Sequence, residues 1–405
     1  MKIDIDQPSS LQHIHRVCMV TETFYPEING VANTLKFLVE GMRKQGIQVL
    51  IIRPKQHAQD ISINQGELQT QTVPGLPIPG YAKLKFGLPL RRRIQRAMQT
   101  FDAQAVYIAT EGPLGLAALR ASTRIGLAVL SGFHTNFHEY FEHYHLAFLR
   151  RLVFRYLRAF HNATAATLVP TKHLAEILTS QGFKNVQIMA RGVDAALFSP
   201  EKRCQILRSS WQVGPQDPVL IYVGRIAHEK NIQLAMKAAE AFKQLQPASR
   251  LVLVGDGPLR ESLMQAHPEC LFVGEKSGEE LARYYASADI FLFPSLTDTF
   301  GNVVLEAMAS GLHVLAFNYA AGGSFIRPAE NGSLAQWQSE VDFLEQARQI
   351  GRVAGDRESI GRNARLTSET LSWETISEQF IQQLTLIKEA GSDGTHQKPL
   401  LVSKV

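Results

Sequence analysis

Short, continuously apolar runs alternate with helical patterns along the whole chain, and they fall into two sets. The first set is RVCMVT (16–21), QVLIIRP (48–54), AVYIAT (105–110), LAVLSGFH (127–134), ATLVP (166–170) and VQIMARG (186–192). The second is PVLIYVGR (218–225), RLVLVGDG (250–257), CLFVGE (270–275), IFLFPS (290–295) and HVLAFN (313–318). A strand that is apolar on both faces must be covered on both faces, which is the situation of a parallel sheet wound with helices. The fold class expected is therefore α/β, with two doubly wound domains facing a cleft. A length of 405 residues suits two cores better than one. The break is expected near DAALFSPEKR (194–203), where Pro200 and a run of charge interrupt the pattern. This gives a first domain over 1–199 and a second over 200–371. An amphipathic helix, SWETISEQFIQQLTLIKEA, occupies 372–390, and the tail 391–405 is expected to be disordered.

Composition excludes several alternatives. The three cysteines, Cys18, Cys204 and Cys270, are scattered and odd in number, which argues against a disulfide framework or a cysteine metal site. The start, MKIDIDQPSS, lacks the pattern of a signal peptide, and no apolar run reaches the length of a membrane span. The cytoplasm is the setting expected. Charge is unevenly divided: residues 1–199 hold 22 Lys and Arg against 13 Asp and Glu, a balance of +9, while residues 200–405 hold 20 against 24, or −4. Much of the positive excess lies in KLKFGLPLRRRIQR (83–96) and FLRRLVFRYLRAFH (148–161). Basic amphipathic segments can rest on anionic lipid, so peripheral attachment to the inner membrane face is one reading. For 148–161 the other reading is a helix with one face in the core and one in water.

In open parallel sheets the ligand lies at the carboxyl ends of the strands. After the first run, TETFYPEINGVANT puts Asn29 and Gly30 at a helix entrance whose free amides suit an anion. After IYV, the loop GRIAHEKN carries Arg225 and Lys230, two fixed cations able to balance a departing diphosphate without a metal. VLVGDGPLR resembles a dinucleotide fingerprint, but Arg260 stands where the third glycine belongs. GFHTNFHEYFEHYH contains no zinc signature, and His134, at the end of its strand, is the histidine expected to meet a ligand. TDTFGNVVLEAMASG places Asp298 before a helix and Glu306 inside it. Ionised carboxylates accept hydrogen bonds from vicinal hydroxyls, and the amides of Phe300, Gly301 and Asn302 lie at the positive helix end. A plain N-cap role for Asp298 is the alternative. Together these groups suit a sugar nucleotide.

At this point the sequence resembles the retaining glycosyltransferases with two Rossmann-like domains, the GT-B fold, in the group that includes bacterial lipid α-mannosyltransferases and sulfoquinovosyl-diacylglycerol synthases. The resemblance runs from about residue 14 to 390 and rests on ETFYPEINGVANT, VGRIAHEKN, VGDGP, YYASADIFLFPS and TDTFGNVVLEAMASG in order. It implies that the Gly30 loop closes over the diphosphate, that the loop of Gly224, Arg225 and Lys230 binds it, and that Glu306 holds the ribose. It also implies that Asp298 and the amides after it hold the transferred sugar, which His134 meets from the other domain. The backbone from Val273 to Lys276 would lie by the base. The last helix would cross back onto the first domain. Two departures are visible: the two-acid signature usually begins with Glu where this chain has Asp298, and AAGGSFIRPAENGSLA (320–335) is short beside its relatives.

The implied activity is metal-independent hexosyl transfer, mannose favoured, with retention by a front-side reaction. GDP-mannose or a UDP-hexose would be substrate; no cofactor, metal or nucleic acid is expected. The acceptor is a membrane lipid or lipid-linked glycan. A soluble or polysaccharide acceptor and a catalytically silent nucleotide-sugar-binding scaffold remain open.

Overall fold

The computed structural model describes residues 14–392 except 26, 28, 57–59, 61, 79, 80, 135–146, 354 and 355. The first sheet is built from β1 (Arg16–Val20), β2 (Gln48–Pro54), β3 (Ile63–Gln65), β4 (Leu68–Val73), β7 (Ala105–Ile108), β8 (Val129–Gly132), β9 (Ala166–Val169) and β10 (Val186–Ile188). Their order is β10-β9-β8-β7-β1-β2-β4-β3. A hairpin of β5 (Gly75–Ile78) and β6 (Tyr81–Gly87) stands beside it. The second sheet holds β11 (Val219–Val223), β12 (Arg250–Val254), β13 (Leu271–Gly274), β14 (Ile290–Phe293), β15 (His313–Phe317) and β16 (Ser333–Ala335), in the order β13-β12-β11-β14-β15-β16.

The apolar runs explain this topology. In β1 and β2, Val17, Met19, Val49 and Ile51 enter one core while Cys18, Val20, Leu50 and Ile52 enter the core on the opposite face. Both faces are dry, so alternation vanishes and parallel pairing follows. Two features depart from expectation. β3 pairs antiparallel with β4, and β5 with β6, where all-parallel sheets were expected. The segment 83–96, expected as one basic amphipathic stretch, divides into the end of β6 and the start of helix Arg91–Phe101.

Between β10 and β11 the chain changes body earlier than the expected break at 199/200. Val193 and Phe198 already pack in the second core, and Val193 N–H donates to the Leu371 carbonyl at 2.9 Å. Helix Trp373–Ser392 then returns to the first domain, burying Ile376, Phe380, Leu384 and Ile387 in its core. Trp373 stacks on Phe37 at 4.5 Å. This helix includes residues 391 and 392, which the sequence reading gave to the tail; 393–405 lie outside the described residues.

Each sheet reverses its winding once: at β1/β7 in the first and at β11/β14 in the second. Those are the points where a crevice opens at the strand ends. The loops after β1, β11 and β14 carry Gly30, Lys230 and Asp298.

Candidate active site

The second-domain wall begins at the end of β14. Helix Asn302–Ala309 follows a turn in which Gly301 takes φ +90°, a left-handed conformation open to glycine, and no side chain caps the helix start. Phe300 is buried, and its carbonyl accepts from the Ala321 amide at 2.8 Å, fixing the turn against the next helix. On this frame Asp298 accepts from Lys230 Nζ at 2.9 Å, and the same ammonium donates to the Thr297 carbonyl at 3.0 Å. Lys230 is thus held at the mouth of the cleft by two anchors. The Tyr319 hydroxyl donates to the Asp298 carbonyl at 3.1 Å.

Glu306, one turn inside the same helix, accepts from the Tyr285 hydroxyl at 3.0 Å. Burial pushes its carboxyl up to about 7, and the tyrosine hydrogen bond opposes that rise. Near neutral pH this acid is poised between its two protonation states. Arg225 lies outside this cluster. Its guanidinium is exposed and pairs with Glu229 at 3.3 Å, so the two cations expected to act together are not brought together in the free protein.

On the first-domain wall, Asn29 closes helix Gly30–Lys44 as its N-cap: its side-chain oxygen accepts from Val31 and Ala32 amides at 3.1 and 2.9 Å. Two of the amides expected to face an anion are therefore occupied, and the Asn29 side chain, which also donates to Thr23 at 2.7 Å, acts locally as a brace. Gly30 is the first helical residue. His134 lies at the expected strand end, with Nε2 2.9 Å from the Tyr107 hydroxyl. Burial pushes the imidazole down to about 3, with Arg191 and His161 adding to the effect, so it is neutral at physiological pH. His138, four residues on in GFHTNFHEYFEHYH, lies outside the described residues.

Sequence reasoning missed Arg191. It is the last residue but one of the run VQIMARG, its Nη1 would lie 3.3 Å from a Cβ placed on Gly30, and its guanidinium sits 5.7 Å from the Phe300 ring. It touches both walls. The available signal was the rule that strand-end residues be searched, which was not applied to this run.

The remaining expected positions surround the second sheet. Gly224 N–H donates to the Val254 carbonyl at 3.0 Å, and a Cβ on Gly255 would meet the Gly224 carbonyl oxygen at 1.9 Å. The glycines of VGDGP thus serve close approach of two strand ends. Val273 lies in β13, and Lys276 pairs with Glu280 at 2.6 Å and packs 5.4 Å over Tyr284.

Four polar atoms of this cleft are buried without a hydrogen-bond partner: Arg191 Nε, His134 Nδ1, Thr297 Oγ1 and Asn302 Oδ1. Buried polar groups are nearly always satisfied; exceptions occur elsewhere among the described residues too, and these four are ones that a polar ligand at the strand ends could complete. Donors, acceptors and cations are all present, as a phosphorylated sugar requires.

With that geometry in place, similarity to known proteins identifies the chain. Residues 205–367 match the family described as Glycosyl transferases group 1, and residues 28–197 match Glycosyltransferase Family 4. The GDP-mannose-dependent alpha-mannosyltransferase of Mycobacterium tuberculosis (strain CDC 1551 / Oshkosh) is 31% identical over 90% of this chain and 95% of its own. The sulfoquinovosyl transferase SQD2 of Arabidopsis thaliana is 27% identical over 90% of this chain and 72% of its own. The alpha-monoglucosyldiacylglycerol synthase of Acholeplasma laidlawii is 25% identical over 89% and 94%. Among solved structures, sucrose-phosphate synthase from Thermosynechococcus elongatus superposes with a TM-score of 0.74 at 19% identity, covering 93% of this chain and 100% of that one. The fold is GT-B. The chain belongs to the group 1 glycosyltransferase family and is a glycosyltransferase.

Proposed function

We propose that the chain transfers a hexose, mannose favoured, from a nucleoside-diphosphate sugar to a membrane lipid or lipid-linked acceptor, with retention and without a metal. The observation that carries this reading is the Lys230–Asp298 pair fixed at the strand ends of the second domain, with Arg191 reaching from Gly30 on the first domain to Phe300 on the second. The names of the relatives support the donor and acceptor classes.

In this reading Lys230 and Arg225 stabilise the charge that the diphosphate gains as the bond to the anomeric carbon breaks. Lys230 is already in place; Arg225 must leave Glu229 to join it, a short side-chain swing on its own loop. Asp298 orients the transferred sugar, Glu306 receives the ribose hydroxyls, and neutral His134 offers a hydrogen bond to the sugar. The acceptor oxygen attacks from the side the diphosphate leaves, and its proton passes to the departing phosphate oxygen. Val273 and Lys276 lie by the base.

Calorimetric titration with GDP-mannose and UDP-glucose tests the donor half. One of the two donors should bind, and EDTA should leave turnover unchanged. Binding of neither, or loss in EDTA restored by Mn²⁺ or Mg²⁺, contradicts the reading.

A further inference from the structure

Arg191 is 7% exposed, and no described side chain satisfies its Nε. Its guanidinium faces the first residue of a 15-residue helix, whose N-terminus already carries partial positive charge. A buried guanidinium and a positive helix end repel unless an anion contacts both, and Gly30 itself is exposed, so a ligand can reach the pair. Burial pushes the guanidinium down to about 10, and the Tyr107 hydroxyl and Asp298 carboxylate offset only part of that. Asp298 cannot serve as its full counter-ion, because that carboxylate is hydrogen-bonded to Lys230 at 2.9 Å. Gly30 lacks a side chain where a Cβ would crowd the guanidinium at 3.3 Å, so glycine lets the arginine approach the helix start closely and the two can grip one anion together.

We infer that Arg191 is a third cation of the donor site and a catalytic residue, binding the distal phosphate of the nucleoside diphosphate against the Gly30 helix end. It rests on the function proposed above. Arg191 and Lys230 flank one carboxylate, Asp298, from the first- and second-domain sides, and a diphosphate entering there meets a guanidinium able to donate two parallel hydrogen bonds. Because Arg191 reaches Gly30 on one wall and Phe300 on the other, the phosphate it holds is also where the two domains meet. During transfer, the bond between the anomeric carbon and the distal phosphate oxygen breaks, the acceptor oxygen bonds to that carbon, and the departing oxygen keeps the electron pair. Arg191 stabilises that oxygen's charge.

The test uses the full chain and its Arg191→Gln and Arg191→Lys variants, titrated with GDP and GMP and with UDP and UMP. The wild type should prefer the diphosphate to the monophosphate of its base. Arg191→Gln should reduce that preference by about tenfold or more, as loss of a charge-assisted contact implies, and Arg191→Lys should restore part of it. A general loss of structure would weaken both nucleotides alike and leave their ratio unchanged. An unchanged ratio in a variant that still binds the monophosphate as the wild type does overturns the inference, and if the KM for the lipid acceptor rises instead, the cation belongs to the acceptor. A wild-type chain that binds neither pair overturns the donor reading itself, and this inference with it.

Discussion

Lys230 is anchored by Asp298 and the Thr297 carbonyl before substrate arrives, so its charge needs no reorganisation during the reaction. Lys230→Ala should therefore lower turnover by about two orders of magnitude, the range for one preorganised electrostatic group, with Arg225→Ala comparable if its guanidinium joins the donor. Steady-state kinetics check both, and near wild-type turnover in the two variants would remove the phosphate clamp. Glu306 gives a pH signature. Burial raises its carboxyl to about 7 in the free protein; if ribose hydroxyls donate to the ionised form, as proposed, ligand binding pulls its pKa down. Affinity for the nucleoside diphosphate should hold above that pH and weaken below it by up to about tenfold per pH unit, a limb that Glu306→Gln should lack. Titration across pH with wild type and variant decides it. Glu306→Gln should chiefly weaken nucleotide binding, whereas Asp298→Asn should lower turnover more than affinity. Lys230, Asp298, Glu306 and His134 were legible because polar residues at the ends of apolar strands have few structural reasons to be there. Arg191 was not, since its meaning depends on Gly30, 161 residues earlier in the chain. The capping role of the Asn29 side chain was not read from the sequence, which took the amides it occupies as free.

Helices and strands carry the site only as far as their ends are fixed. Asn29 satisfies two amides at the start of helix Gly30–Lys44, and Asn29→Ala should cost about 1 kcal/mol of stability, measured by urea unfolding. The returning helix depends on its buried face: Phe380 is fully buried and meets Tyr107 edge-on at 4.9 Å. Phe380→Ala should cost about 3–5 kcal/mol, the range for a large aromatic removed from a packed core. A loss below about 1 kcal/mol would show that the helix is not an integral part of the first domain. The main strands were readable because both their faces are dry. β3 to β6 were not: INQ, LQTQTV, GLPI and YAKLKFG are short or partly polar, as edge strands and hairpins facing water can be, and such segments do not stand out from loops. The basic stretch 83–96 shows the same difficulty, its composition apparent and its division into strand and helix hidden.

Across the whole molecule, two sheets place their winding reversals at one crevice, and the positive half bears the surface that would meet lipid. In helix Ala147–Asn162, Leu157 and Phe160 are buried while Leu152 and Tyr156 are 54% and 36% exposed. The apolar side read from the sequence is thus shared between the core and the surface, alongside exposed Arg151 and Arg155 and the separate cluster Arg91, Arg92 and Arg93. Among the described residues no helix is long and apolar enough to cross a membrane. If these arginines attach the protein to anionic lipid, sedimentation with phosphatidylglycerol vesicles should weaken as salt rises, and replacing Arg91, Arg92 and Arg93 with Ala should remove about 3 kcal/mol of attraction. Binding unaffected by either change would leave these charges as solvated surface. Hexose transfer from a nucleoside-diphosphate sugar to lipid through the cleft of Lys230 is measured most directly as the passage of radiolabel from GDP-mannose, or from UDP-glucose, into the organic-soluble fraction of diacylglycerol-glycolipid vesicles incubated with the full chain. Label should appear in the lipid fraction with one of these donors, and about a hundredfold less of it with Lys230→Ala. Label that reaches lipid equally with Lys230→Ala, or that never reaches lipid while passing to a soluble acceptor, would contradict it.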